Sequence, residues 1–185
     1  MTQTRKAERL LEEVLGALSG SDWRAILDAI EVPTYLTDKD GNVTYWNRAC
    51  AEFAGREPQL GSDRWCVTWK LYTTAGELLP HDACPMAVAL KEQRVVRNAV
   101  AIAERPDGTR CAFTPYPTPL FDEAGELKGA VNLLMDVSAE HGRDLRSQAD
   151  RCRRLARSVT DAKASRVLDD MAFGYEQAAA SLSPG

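Results

Sequence analysis

A chain of 185 residues with 44% hydrophobic content has room for one ordinary domain with extensions. Its formal charge of −4 argues against nucleic acid as a main partner, because phosphate binding needs a basic face. Its apolar runs fall short of the ~20 residues that span a bilayer.

The chain opens on MTQTRKAERLLEEVLG. Charges interrupt its apolar residues, so it lacks the unbroken core of a secretory signal. Five cysteines, odd in number and without paired short spacing, fit reduced thiols rather than a disulfide framework. The cytoplasm is therefore the expected compartment, with neither membrane nor nucleic acid as a partner. Two histidines and no C-x-x-C pair leave little material for a closed zinc site, and no metal is expected.

Residues 1–23 form a helical extension, with Ala7, Leu10, Leu11, Val14, Leu15 and Leu18 at helical spacing. Gly20 ends that helix. Ser21 or Asp22 is placed to cap the next, SDWRAILDAI, which Pro33 stops. Residues 24–138 change period. Three pairs of β-rich runs are joined at Asp40-Gly41, Asp107-Gly108 and Ala124-Gly125, where glycine supplies the positive φ of a tight hairpin. Between the first and second hairpins lie two helical candidates. In NRACAEFAG, Asn47 is placed as the cap and Gly55 as the stop; the other is PMAVALKEQ. Helices grouped between strands indicate an α+β domain around an antiparallel sheet.

Pro115, Pro117 and Pro119 recur at every second position. Alternate residues of a strand direct their backbone groups to the same neighbour, so the three missing N–H donors fall on one side. The strand is expected to pair on one side only from residue 115 onward. Residues 139–185 return to helix: Ser138 is a candidate cap for an arginine-rich helix, Asp161 for a mildly acidic one. Their short connection makes them an antiparallel hairpin.

The segment VPTYLTDKDGNVTYWNRACAEFAG resembles the opening of PAS domains, with Asp38 ending the first strand and Asn47 beginning the first helix. WKLYTTAGELLPHDACPMAVALKEQRVV resembles the family's passage through its F helix, and ERPDGTRCAFTPYPTPLFDEAGELKGAVNLLMDVS its closing strands and exit into a signalling helix. The resemblance covers residues 24–138. It implies a five-stranded antiparallel sheet with helices on one face and a pocket between them. The flavin photosensors of the family carry a cysteine within Asn-Cys-Arg-Phe-Leu-Gln; here Cys66 stands in DRWCVTWK and the motif is absent. Haem-binding members carry a histidine on the F helix, where PMAVALKEQ has none.

LPHDACPM concentrates a histidine, an aspartate and a cysteine. Pro85 suits the first turn of a helix and Asp82 can cap it or oppose its dipole, so the three need not converge on one reacting atom. Cys84 beside His81 admits two readings. One is a thiol of lowered pKa, redox-responsive or serving with His81 as an axial ligand; the other is a small buried residue. His141, in SAEHGRDL, lacks the surroundings of a phosphoacceptor and reads as a surface residue.

Phe53, Trp65, Trp69, Met86, Leu90, Phe113, Asn132 and Leu134 are the candidates for lining the pocket. Asn132 stands apart because a buried amide needs hydrogen-bond partners. The expectation is a non-enzymatic sensory module that binds a small ligand or a protein partner and passes the change through its flanking helices. The N-terminal apolar stripe is expected to be buried in a homodimer. A haem or flavin sensor is the alternative.

Overall fold

Local signals place most elements where the periodicity predicts them. The computed structural model describes residues 3–183. Helix α1 (Gln3–Ala17) and the short α2 (Trp23–Asp28) precede the hairpin of β1 (Thr34–Asp38) and β2 (Val43–Trp46). Helix α3 (Arg48–Ala54), a short strand β3 (Lys70–Tyr72), a 3-10 turn (His81–Ala83) and α4 (Pro85–Glu92) follow. The sheet closes with β4 (Ala101–Glu104), β5 (Arg110–Pro115), β6 (Thr118–Phe121) and β7 (Leu127–Asp136). Helices α5 (Ser138–Ser158) and α6 (Ala162–Ser181) form the C-terminal hairpin.

All seven strands join one sheet in the order β2-β1-β7-β5-β4-β3, with β6 also on β7. The count exceeds the expected five for two reasons. β3 is added at the edge, beside β4. β5 and β6 are one strand in two pieces: Pro115 pairs with Leu134 and Thr118 with Val131 in a single register along β7, and Tyr116 N donates to Leu133 O between them.

The alternating prolines act as expected. Pairing of β5 with β4 stops at Phe113, and β6 pairs only with β7. Arg97 covers the vacated side, donating from Nη1 to Pro117 O at 3.0 Å and from Nη2 to Thr118 Oγ1 at 3.0 Å.

Each face of the sheet carries its own core. On the inner face, Phe53 of α3 and Met86 and Leu90 of α4 pack on Tyr35, Phe113 and Leu134. On the back face, α1 lays Ala7, Leu11 and Val14 against Leu36, Tyr116, Val131, Leu133 and Met135. Helices therefore cover both faces rather than one. On that face the N-terminal stripe is buried against the chain's own sheet. β7 serves both cores, so its sequence reads as nearly continuous apolar residues instead of a polar alternation.

Asn47 explains how α2, β1 and α3 meet. Fully buried, it caps α3 by accepting from Cys50 N at 3.2 Å and also accepts from Thr34 N at 3.0 Å. Its Nδ2 faces the carbonyls of Leu27, Ile30 and Val32. Asp38 fixes the first hairpin turn, accepting from Asp40 N and Asn42 N on Oδ1. Gly129 lets β1 and β7 approach closely, since a Cβ there would overlap the carbonyl of Thr37.

The hairpin docks on one strand edge. β7 stops pairing with β5 at Phe113, which leaves residues 110–112 without it. Ala112 N donates to Ser138 Oγ at 2.9 Å, and Val137 N to Ala112 O at 2.8 Å. Ser183 N donates to Arg110 O at 2.7 Å, beside a bridge between Arg110 and Leu182. Ser138 thus holds the helix to the sheet and caps nothing; Asp136 Oδ1 accepts its N–H. Asp161 does cap α6, accepting from Lys163 N and Ala164 N. Between the helices, Ala149, Cys152 and Ala172 are buried together with Tyr175 against them, and Arg153 pairs with Glu176 through both of its Nη atoms.

Candidate functional site

Strand alternation aims Tyr35 and Asn132 from neighbouring strands into the inner core, where the two residues pair in register. Asn132 accepts from Tyr116 N at 2.9 Å through Oδ1 and donates to Tyr35 Oη at 3.0 Å through Nδ2. Tyr35 Oη in turn donates to the carbonyl of Trp65 at 3.0 Å, which Cys84 Sγ also approaches, at 3.8 Å. A single chain of hydrogen bonds thus ties β7 and β1 to the loop before β3 and to the start of α4.

Trp65 is the strained member. It holds a left-handed φ of 68°, a conformation costly for a residue with a Cβ. Three contacts hold it there. Its N–H donates to Gly41 O at 2.7 Å, its indole covers Gly41, where any Cβ would collide with the ring, and Arg64 and Lys91 lie over the ring at 4.7 and 5.4 Å.

Most of the proposed lining residues come together. Phe53, Met86, Leu90, Phe113 and Leu134 are buried in one cluster, with Trp65 at its margin. Phe53 meets Phe113 edge to face at 5.3 Å. Trp69 does not join them: it is 43% exposed, with Lys70 Nζ at 4.0 Å from its ring. The interval from Trp65 to Lys70 has no regular alternation to carry both indoles inward. Two participants were missed by sequence reasoning. Tyr35 looks like any strand aromatic until its register with Asn132 is known, and Cys50 looks like ordinary helix filling.

Cys84 does not have the lowered pKa expected at a helix start. It is 2% exposed, and burial pushes the thiol up to about 12. Burial likewise raises Cys50, Cys66 and Tyr35, so this interior favours neutral groups. His81 is held below its ordinary value by burial first and by Arg56 second. Its charged neighbours are Arg56, Asp63 and Asp82. Asp82 caps neither the 3-10 turn nor α4; its carbonyl accepts from Lys91 Nζ at 2.6 Å.

The residues present do not fit a flavin or a haem in this interior. The volume between α3, α4 and the sheet is occupied by Phe53, Phe113, Met86, Leu90 and Leu134, all at most 3% exposed. Among the described residues no three His, Cys, Asp or Glu side chains group as metal ligands, and no helix is long and apolar enough to cross a membrane.

Two open volumes lie on the back face. One of about 520 Å³ separates β3–β5 from the hairpin, with Tyr72, Ile102, Arg110, Leu145, Met171 and Tyr175 in its walls. Another of about 560 Å³ separates α1 from α5, between Thr4, Tyr116 and Asp144. His141 lines both and is half-buried between them.

With this sheet, inner helical layer and helix leaving β7 in place, the PAS fold family model matches residues 27–142. The chain belongs to the PAS family. No curated protein matches it. Among solved structures, the PAS chain is similar to the Rhodobacter sphaeroides LOV protein at 15% identity and a TM-score of 0.48, over 92% of this chain and 94% of that one. An RNA-binding light-oxygen-voltage receptor shares 16% identity at a TM-score of 0.47, over 85% of this chain. This PAS chain spans only 36% of that receptor. The light-state dimer of the fungal blue-light photoreceptor Vivid shares 18% identity at a TM-score of 0.44, over 56% of this chain and 76% of that one.

Proposed function

We propose that this PAS domain is a non-enzymatic, cytoplasmic sensory module whose C-terminal hairpin reports the state of the sheet to a partner. That partner is a second copy of the chain or another signalling protein. One observation carries the reading: residues 110–112 of β5 hold both ends of the hairpin, through Ser138 and Val137 at one end and Ser183 at the other. A change in the sheet that moves this edge moves both attachments together. A reporter also needs a surface to be read, and Leu155, Val167 and Phe173 are exposed on the helices, with Val159 exposed between them. Two states of a docked element, differently favoured by a ligand, suffice for such a relay.

A catalytic role draws no support from the interior, where burial keeps the thiols protonated and a thiolate is what a cysteine nucleophile requires. The free, buried cysteines suit a reducing compartment.

Hydrogen exchange tests the relay. Ser138→Ala and Ser183→Pro each remove one attachment. The expected result is faster exchange in α5 and α6 and at Ala112, with β1 and the centre of β7 still protected. Simultaneous loss of protection in hairpin and central strands would show that the hairpin is no independent reporter.

A further inference from the structure

The groove beneath the hairpin has walls of two kinds. Tyr72 and Ile102 project from the back of β3 and β4, while Leu145, Met171 and Tyr175 face them from the helices. Its volume, about 520 Å³, lies within the ~300–1,000 Å³ of small-molecule sites. Among the described residues no aspartate or glutamate lines it; the ionisable groups there besides the tyrosines are Arg110 and His141.

Charge decides the occupant. Glu104 accepts from Lys70 Nζ on Oε1 at 3.4 Å and from Arg110 Nε and Nη2 on Oε2 at 2.9 and 2.6 Å. Of the three, Arg110 alone lines the groove, so a cation faces the space while its counter-charge, Glu104, is shared with Lys70. Arg110 is also stacked on the Tyr72 ring at 4.3 Å, which fixes the guanidinium beside an apolar surface, an arrangement suited to carboxylate recognition.

We propose that this groove binds a small amphipathic acid, its apolar body between Ile102 and Met171 and its anionic group toward Arg110. The proposal rests on the reading of the hairpin as reporter and adds its input. Arg110 is also the residue whose carbonyl holds Ser183. An acid bridging Arg110 and α6 therefore tightens the hairpin on the sheet, and its departure loosens it. The sensed molecule sits between domain and hairpin, outside the filled interior.

The methionine methyls separate the two locations, since Met171 lines the groove and Met86 lies in the inner core. Carbon-13 methyl spectra of the full chain are recorded during titration with 4-phenylbutyrate and, separately, its uncharged analogue 4-phenylbutan-1-ol. The Met171 signal is expected to move saturably while Met86 stays in place, with the acid binding about tenfold or more tightly than the alcohol. Arg110→Met should erase that preference. Ala178→Trp, on an exposed helix position that lines the groove, should abolish binding of both probes while leaving the fold intact. The proposal is overturned by a saturable shift of Met86 instead, by equal affinity for acid and alcohol, or by no saturable Met171 shift up to about 10 mM. None of these results bears on the exchange experiment above, so groove and relay fail separately.

Discussion

The two faces of the sheet each carry an apolar core and are used in opposite ways. On the inner face, side chains from α3 and α4 reach the strands and fill the space, and the Asn132 amide is satisfied on both of its atoms. On the back face, α1 seals the β1–β7 half, while the β3–β5 half meets the hairpin across open volume. The difference follows from side-chain size and anchoring. α3 and α4 carry Phe53, Met86 and Leu90 inward; the hairpin is held at its ends by a few polar contacts, and its own core is built from small residues such as Ala149 and Ala172. A PAS sheet can thus keep one face as scaffold and leave the other adjustable.

The contrast can be broken most directly by truncation. Phe113→Ala should cost about 3–5 kcal/mol in denaturant unfolding, as a buried aromatic does, whereas Met171→Ala should stay within about 0.5 kcal/mol. Equal losses would erase the distinction between the faces. Cys84 gives an effect of similar size in a rate: with its thiol near 12, alkylation of the native protein at pH 8 should be on the order of 10³-fold slower than for free cysteine. A rate near that of free thiol would mean that the inner face opens readily.

Asn47→Ala comes next. Loss of the cap together with exposed demand from several buried backbone groups should cost about 2–3 kcal/mol, measured by thermal or urea unfolding. The smallest effect belongs to the back-face ion network. Hydrogen bonding to Arg110 holds the Glu104 carboxyl below its ordinary 4.5. A depressed acid stabilises the fold fully above that ordinary value and loses its contribution as pH falls through the folded value. The acid side of the stability profile should therefore flatten in Glu104→Gln, by about 1 kcal/mol or less. An unchanged profile would remove Glu104 from the account.

Much of this was legible in the sequence where the cause is local. The hairpin turns need a left-handed residue within two or three positions, and Gly41, Gly108 and Gly125 provide it. Asn47 and Asp161 cap the helices that begin beside them. The proline alternation predicted one-sided pairing because donors and neighbours alternate along any strand. Non-local causes were not legible. Nothing in the α1 stripe says whether a second chain or its own sheet will cover it. Ser138 has the composition of a cap, yet a strand edge 26 residues away claims its hydroxyl. Trp65 and Trp69 are four residues apart, and the left-handed turn at Trp65 sends them to different places. The charge arrangement around Glu104 exists only because three strands put Lys70, Glu104 and Arg110 side by side.

The strand carrying Pro115, Pro117 and Pro119 has a further consequence for the molecule at high concentration. Its outward side offers carbonyl oxygens but no amide hydrogens at those three positions, and Arg97 already occupies one of the oxygens. An incoming extended segment would find too few donors to continue the ladder, so the edge resists growth into intermolecular sheets. Restoring donors there, for example with Pro117→Val and Pro119→Thr, would turn a self-limiting border into a template for fibrils.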